Sequence, residues 1–185
     1  MHTIFIAGSI AISRLHPLVK ERIGSVVRKG MAVVVGDADG ADRSIQEELA
    51  ALGARQVTVF CSADTPRNNV SDWPVHGVET AAKPGTRRFF TAKDVAMAEM
   101  ADYGLMIWDA KSTGTLSNVI ELLKRGRTSV VFVNKLKEFI TVSDVATLRR
   151  LIGMMSAHAV QKAEEKIGLS RTVLELEHDQ LDLAL

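Results

Sequence analysis

Two short polar segments carry the side chains best suited to chemistry: Gly36-Asp37-Ala38-Asp39-Gly40-Ala41-Asp42 and Asp109-Ala110-Lys111-Ser112-Thr113-Gly114-Thr115. The second places hydroxyls, a lysine and a glycine at the start of a helical pattern. Backbone N–H groups at such a start, with the helix dipole behind them, form an anion site. Gly114 lets the backbone approach a phosphate closely. The first segment sets three carboxylates among two glycines. Carboxylates repel phosphate, so Asp37, Asp39 and Asp42 suit ribose hydroxyls, base N–H groups or a cation. Asp39 or Asp42 would equally serve to cap the following helix. Together the loops point to a nucleotide-like ligand, whether held or cut.

The elements that must position these loops can be read from the surrounding pattern. Met31 to Val35 and Tyr103 to Trp108 are apolar runs, each ending at one of the loops. Such runs fit strands buried on both faces, as parallel strands are. A third run, Thr3 to Ala7, ends in Gly8-Ser9, and further strands are expected over Gln56 to Phe60 and Thr128 to Val133. Helical spacing recurs over His16 to Arg28, Ala41 to Leu52, Phe89 to Met100 and Thr115 to Lys124. This alternation predicts an α/β fold, a Rossmann-like doubly wound parallel sheet with strand order 3-2-1-4-5. Ligands then bind where the winding reverses, between the first and fourth strands. Gly8, Ser9 and the Asp109 to Thr115 loop meet there, with Gly36 to Asp42 alongside. Ser62 to Arg88, with Pro66, Pro74 and Pro84, reads as a long ordered loop or lid with a short strand near Val75 to Val78. Beyond Asn134 the alternation stops. Ser143 to Ile152, with Ser143 as N-cap, then Ala157 to Ile167 and Ser170 to Leu183 read as helices. The expected organisation is a nucleotide-binding domain over 1–152 and a C-terminal helical extension over 153–185. Leu174, Leu176, Leu181, Leu183 and Leu185 suggest a homo-oligomer contact.

Composition narrows the function classes. Twenty-three basic and 22 acidic residues give a net charge of +1. No global attraction to nucleic acid or membrane follows, so nucleic acid is not expected as a partner. The single Cys61 excludes an intrachain disulfide and suits a reducing cytoplasm. The five histidines lack paired ligand spacing, and neither metal nor cofactor is expected. No run approaches transmembrane length, no signal-like leader is present, and a cytoplasmic location is expected. Gly8-Ser9-Ile10-Ala11-Ile12-Ser13 is not the glycine-rich dinucleotide motif, and no Walker A lysine loop exists, which disfavours an ordinary dehydrogenase or ATPase.

Ala7-Gly8-Ser9, Gly36 to Arg43, and Ile107 to Thr115, together with Thr91-Ala92-Lys93-Asp94 and Ala98 to Asp102, resemble the SLOG superfamily. That superfamily includes the LOG phosphoribohydrolases, the molybdenum-cofactor carriers and the DNA-processing protein A core; the likeness is nearest to its small bacterial members and spans about residues 3–152. The resemblance implies a Rossmann-like fold that binds nucleotides or their derivatives, for sensing or for N-glycosidic cleavage. Two departures stand out. LOG enzymes follow the Gly-Thr of this loop with a catalytic glutamate in the first helical turn, where this chain has Asn118 and reaches its first glutamate only at Glu121. Ile10 stands where many relatives carry arginine, and Arg14 or Lys93 is the available replacement. The expected function is therefore binding of a nucleotide or nucleotide-derived ligand, in a sensing or carrier role. The expected ligand residues are Gly8, Ser9, Gly36, Asp37, Gly40, Asp42, Lys93, Asp109, Lys111, Ser112, Thr113, Gly114 and Thr115. One alternative is an N-glycosidic hydrolase or (deoxy)ribosyltransferase using Asp109 and Glu121; the Asp109-x-x-Ser112-x-Gly114-Thr115 loop also resembles that of nucleoside deoxyribosyltransferases. The other alternative is a DNA-binding or scaffolding protein.

Overall fold

Apolar β-branched runs bounded by glycine and polar turns set the strands. In the computed structural model, which describes residues 1–182, they are β1 (Thr3–Gly8), β2 (Ala32–Gly36), β3 (Val57–Cys61), β4 (Val75–Gly77), β5 (Tyr103–Trp108), β6 (Thr128–Val133) and β7 (Glu138–Val142). The helices are α1 (Pro17–Arg28), α2 (Ala41–Ala51), α3 (Arg87–Met100), α4 (Thr113–Lys124), α5 (Val145–Ile152), α6 (Ala157–Ile167) and α7 (Leu169–Asp182). The strands form one sheet in the order β4-β3-β2-β1-β5-β6-β7, parallel throughout except for the antiparallel β6–β7 pair. The expected order holds within it, and the expected short strand at Val75 is β4.

Strand alternation feeds two cores. Ile4 and Ile6 of β1 face α1 and α2, together with Val33, Val35, Leu105 and Ile107. Phe5 and Ala7 face the other way, toward α3 and α4, with Met106, Trp108 and Val131. The helices after β1 and β2 thus cover one face and those before and after β5 cover the other, so the winding reverses between β1 and β5.

The structure differs from the sequence reading at the C-terminal third. β7 was expected as loop; β6 instead turns back through residues 134–137, where Lys137 takes φ +55°, and Phe132 pairs with Phe139. The N-cap of α5 is Asp144, not Ser143: its carboxylate accepts from Thr147 N at 2.7 Å in a capping box. Leu176 is buried in the core shared by α4 to α7, so it is not available to a partner, while Leu174 is exposed. The side chains of Leu181, Leu183 and Leu185 lie outside the described residues. Among the described residues, no helix is long and apolar enough to cross a membrane.

Candidate functional site

The loop after β5 is fastened to the end of β1 by one buried hydroxyl. Ser9 Oγ donates to Asp109 Oδ1 (3.1 Å), accepts from Asp109 N (3.1 Å) and touches Thr115 Oγ1 (3.2 Å). Asp109 Oδ1 also accepts from Lys111 N (2.9 Å) and Ser112 N (2.7 Å). These bonds hold Ala110 at φ +61°, a left-handed conformation unfavourable for a residue with a Cβ. The Asp109 carboxylate is thus a brace that shapes the loop. Ser112 caps α4, accepting from Thr115 N, and Trp108 Nε1 donates to Ser112 O (3.0 Å). The N–H groups of Thr113 and Gly114 are left without an acceptor among the described residues. A Cβ built on Gly114 would meet only Ser112 Oγ, at 3.9 Å, so the space beside its backbone is open.

The carboxylate loop after β2 is organised differently. Lys93, from α3, is 4 % exposed. Its Nζ lies 3.4 Å from Asp94, 3.6 Å from Asp37 and 3.6 Å from Asp42. The ammonium therefore takes the position a bound cation would otherwise fill. Asp37 also receives Arg67 Nη2 (2.8 Å), Nε (3.0 Å) and backbone N (3.0 Å). Burial raises the Asp37 pKa, but the Arg67 donors and Lys93 outweigh it and hold the carboxyl below its ordinary value. Asp42 has only the backbone N–H groups of Ala38 and Gly8 and no guanidinium. Burial, relieved by Lys93 and reinforced by Asp94, pushes its pKa up to about 6. Burial would lower the Lys93 pKa, yet its three carboxylates win and raise it. Gly36 has no room for a Cβ, which would collide with Lys93 Nζ and Asp42 Oδ2. Gly40, at φ +73°, packs on the Ile10 carbonyl. Neither Asp39 nor Asp42 caps α2, whose N-cap is Gly40; Asp39 accepts from Asn68 Nδ2 at 3.0 Å.

These two loops and α3 enclose a cleft of about 320 Å³ at the switch point. Of the expected ligand residues, Gly8, Asp42, Lys93, Ser112, Gly114 and Thr115 line it. Asp109, Lys111 and Thr113 line a neighbouring cleft instead, shared with Ser112 and Gly114. Ser9, Gly36, Asp37 and Gly40 support the loops from behind. Glu121 lines neither cleft and bonds to Arg125 (2.7 Å) and Lys124 (3.1 Å), which hold its pKa below the ordinary value against burial.

Two residues of the switch-point cleft are not legible as such in the sequence, Arg67 and Phe90; Asn118, which stands where LOG enzymes carry their glutamate, lines it as well. Arg67 lies over the Phe90 ring, 5.2 Å from its centroid. Asn118 is 6 % exposed, and its amide has no hydrogen-bond partner among the described residues. That amide is open to the cleft and engaged by no described side chain or backbone group, so its donors and acceptor are free for a polar ligand. The neighbouring cleft, about 540 Å³, runs between the starts of α4 and α6 and is lined by Lys111, His158, Lys162 and Lys166. Positions 158, 162 and 166 repeat every four residues and share one face of α6. Among the described residues none of the three lysines forms an ion pair.

No family model matches the chain, and no curated protein matches it. Its fold is similar to a solved structure of DNA processing protein A from Helicobacter pylori, described for its single-stranded DNA binding mode. The TM-score is 0.56 and the identity 18 %, covering 84 % of this chain and 74 % of that one. The expectation that nucleic acid is not a partner is therefore corrected. It rested on a net charge of +1, whereas the protein sharing this fold binds single-stranded DNA and charge here is unevenly spread, with three unpaired lysines in one cleft.

Proposed function

We propose that the protein binds single-stranded nucleic acid, seating one nucleotide unit in the switch-point cleft and adjoining phosphates along the cationic face of α6. The observation that carries this reading is the continuity of two unlike clefts across the first turn of α4. Ser112 and Gly114 belong to both. On one side lie the unpaired Asn118 amide and the exposed Phe90 ring, suited to a base edge and a base face. On the other lie three unpaired lysines, suited to a phosphodiester backbone. The free N–H groups at the start of α4 sit between them, where a phosphate gains most from the helix terminus. The DNA-binding character of the fold relative supports this reading, as does the likeness of the loops to the SLOG superfamily, which is the family we propose. On this reading α6, within the helical extension proposed over 153–185, forms part of the binding surface.

A second reading, capture of a free nucleotide or nucleotide derivative in a sensing or carrier role, is favoured by the size of the switch-point cleft alone, since about 320 Å³ accommodates a single small ligand. One titration separates the two. Fluorescence anisotropy of a short labelled oligothymidylate should give saturable binding that a mononucleotide displaces only at far higher concentration. Gly114→Ala adds one methyl group to open space, and an alanine is a better helix former by roughly 0.5–1 kcal/mol. The variant should therefore fold as well as the parent and lose about tenfold or more in oligonucleotide affinity, as expected when a close backbone–phosphate approach is blocked. Equal affinity for mononucleotide and oligonucleotide selects the second reading. Unchanged affinity in Gly114→Ala removes the α4 terminus from both.

A further inference from the structure

At the opposite edge of the sheet, by the N-terminal ends of the strands, lies a cavity of about 560 Å³ that the nucleic-acid reading leaves unused. Its existence follows from topology. The crossover helices α3 and α4 lie on the other face of the sheet, so on this side of β5 and β6 the cavity is walled by α1 alone. The floor is apolar: Ile4, Leu105 and Val130, with Val26 from α1 and Met31 at the edge. Tyr103, 43 % exposed, stands at the rim with the His2 ring edge-on, 5.6 Å between centroids.

The charge on the rim has one sign. Arg22 and Lys29 line the cavity and no carboxylate does. Among the described residues Lys29 forms no ion pair, and Arg22 lies 4.7 Å from the Phe139 ring centroid without a carboxylate partner. Asp102, beside Tyr103 in the chain, is engaged by Thr3 N (2.9 Å), His2 and Arg127. We propose that this cavity is a second ligand site that takes a small planar organic anion of the aryl carboxylate class. The ring lies on Ile4, Leu105 and Val130 against Tyr103, and the carboxylate faces Arg22 and Lys29. The volume falls within the range of small-molecule sites, and an apolar floor with a few convergent polar groups is their usual lining. A protein helix is a poorer occupant, because past Val130 the face turns polar at the exposed Thr141, and Phe139 already lies under Arg22.

The test uses 1-naphthoate titrated into the full chain, with the neutral 1-naphthalenemethanol as control, followed by amide NMR shifts. Naphthoate should give saturable shifts confined to residues 2–4, 22–31, 103–105 and 128–130, and the alcohol should bind about tenfold more weakly or worse, reflecting the missing charge. Arg22→Gln with Lys29→Gln should bring naphthoate down to the affinity of the alcohol. Ser25→Trp, at a half-buried position of α1 in the cavity wall, should abolish binding of both while leaving oligothymidylate affinity unchanged. Equal binding of acid and alcohol, shifts located at the switch-point cleft, or no saturable shift at millimolar ligand overturns the proposal, whatever the outcome for nucleic acid.

Discussion

Lys93 shows how a single side chain fixes the character of the carboxylate loop. Around its buried ammonium stand Asp37, Asp42 and Asp94, with Arg67 on the outer side. With every group ionised the cluster carries two positive and three negative charges. Uptake of one proton balances it, and Asp42, which takes none of the Arg67 hydrogen bonds that Asp37 does and whose pKa is pushed up to about 6 by burial, is a carboxyl that favours it. An acid whose pKa rises from 3.8 unfolded to about 6 folded contributes stability that is full below pH 3.8 and lost as pH climbs through about 6. Asp37 works in the opposite sense, lending stability above its unfolded pKa that is lost at lower pH. Burial also raises the Asp94 pKa, with Lys93 opposing it, so between pH 4 and pH 6.5 the Asp42 contribution is read as the difference between the parent and Asp42→Asn. Melting curves of the parent and of Asp42→Asn across that window should diverge, the parent losing more on the alkaline side by on the order of 2 kcal/mol or less, which is several degrees for a chain of this size. Parallel pH profiles would show that Asp42 titrates normally.

At the scale of elements, the five strands that build the switch point and the four helices around them follow from local pattern: each is a continuous apolar run or a helical stripe, three of the four stripes closed by glycine. What escaped the pattern is held by contacts between residues far apart in sequence. β7 is a short edge strand, Glu138 to Val142, whose alternation means little until β6 offers its free edge. Arg67, in a proline-rich stretch with no period, becomes a site residue only when it meets Asp37, thirty positions earlier. The same stretch, expected as a loop or lid, is stitched down. Gln46 Nε2 donates to Gly36 O (2.9 Å) and Asn68 O (3.2 Å), Val70 N donates to Gln46 Oε1 (3.0 Å), and Trp73 Nε1 donates to Ala54 O (3.0 Å). Arg67→Ala removes the two guanidinium bonds to Asp37 and the contact with the Phe90 ring, and leaves the buried Asp37 with the backbone N–H at position 67 and Lys93. Arg67 is 40 % exposed at its side chain, so solvent screens part of the loss, and a cost of about 1–2 kcal/mol is expected. The visible consequence should be local: faster limited proteolysis between residues 62 and 86, with the protection of β1, β2 and β5 amides unchanged. Uniformly faster cleavage across the chain would mean that the clamp supports the whole fold instead.

For the whole molecule, a net charge of +1 describes no part of the surface well. Acidic and basic residues nearly cancel, yet many cations on the outer helices are paired within their own neighbourhood, as Arg43 is with Glu47, Arg149 with Glu177 and Arg171 with Glu175. Those pairs present little field beyond their own contact. Lys111, Lys162 and Lys166 are left to act on a common cleft. If the protein binds single-stranded nucleic acid as proposed, its affinity should come from a few localised charges, not from a basic face. That distinction is measurable, because each phosphate neutralised on a single strand adds about −0.7 to the slope of log affinity against log salt. Three contacts predict a slope near −2, shallow beside strongly basic DNA-binding proteins. Lys162→Ala with Lys166→Ala should flatten it to about −0.7, reading out two lost phosphate contacts, while affinity for a mononucleotide in the switch-point cleft stays as it was. A slope that the double variant leaves unchanged would place the backbone contacts elsewhere on the molecule and detach α6 from the binding surface.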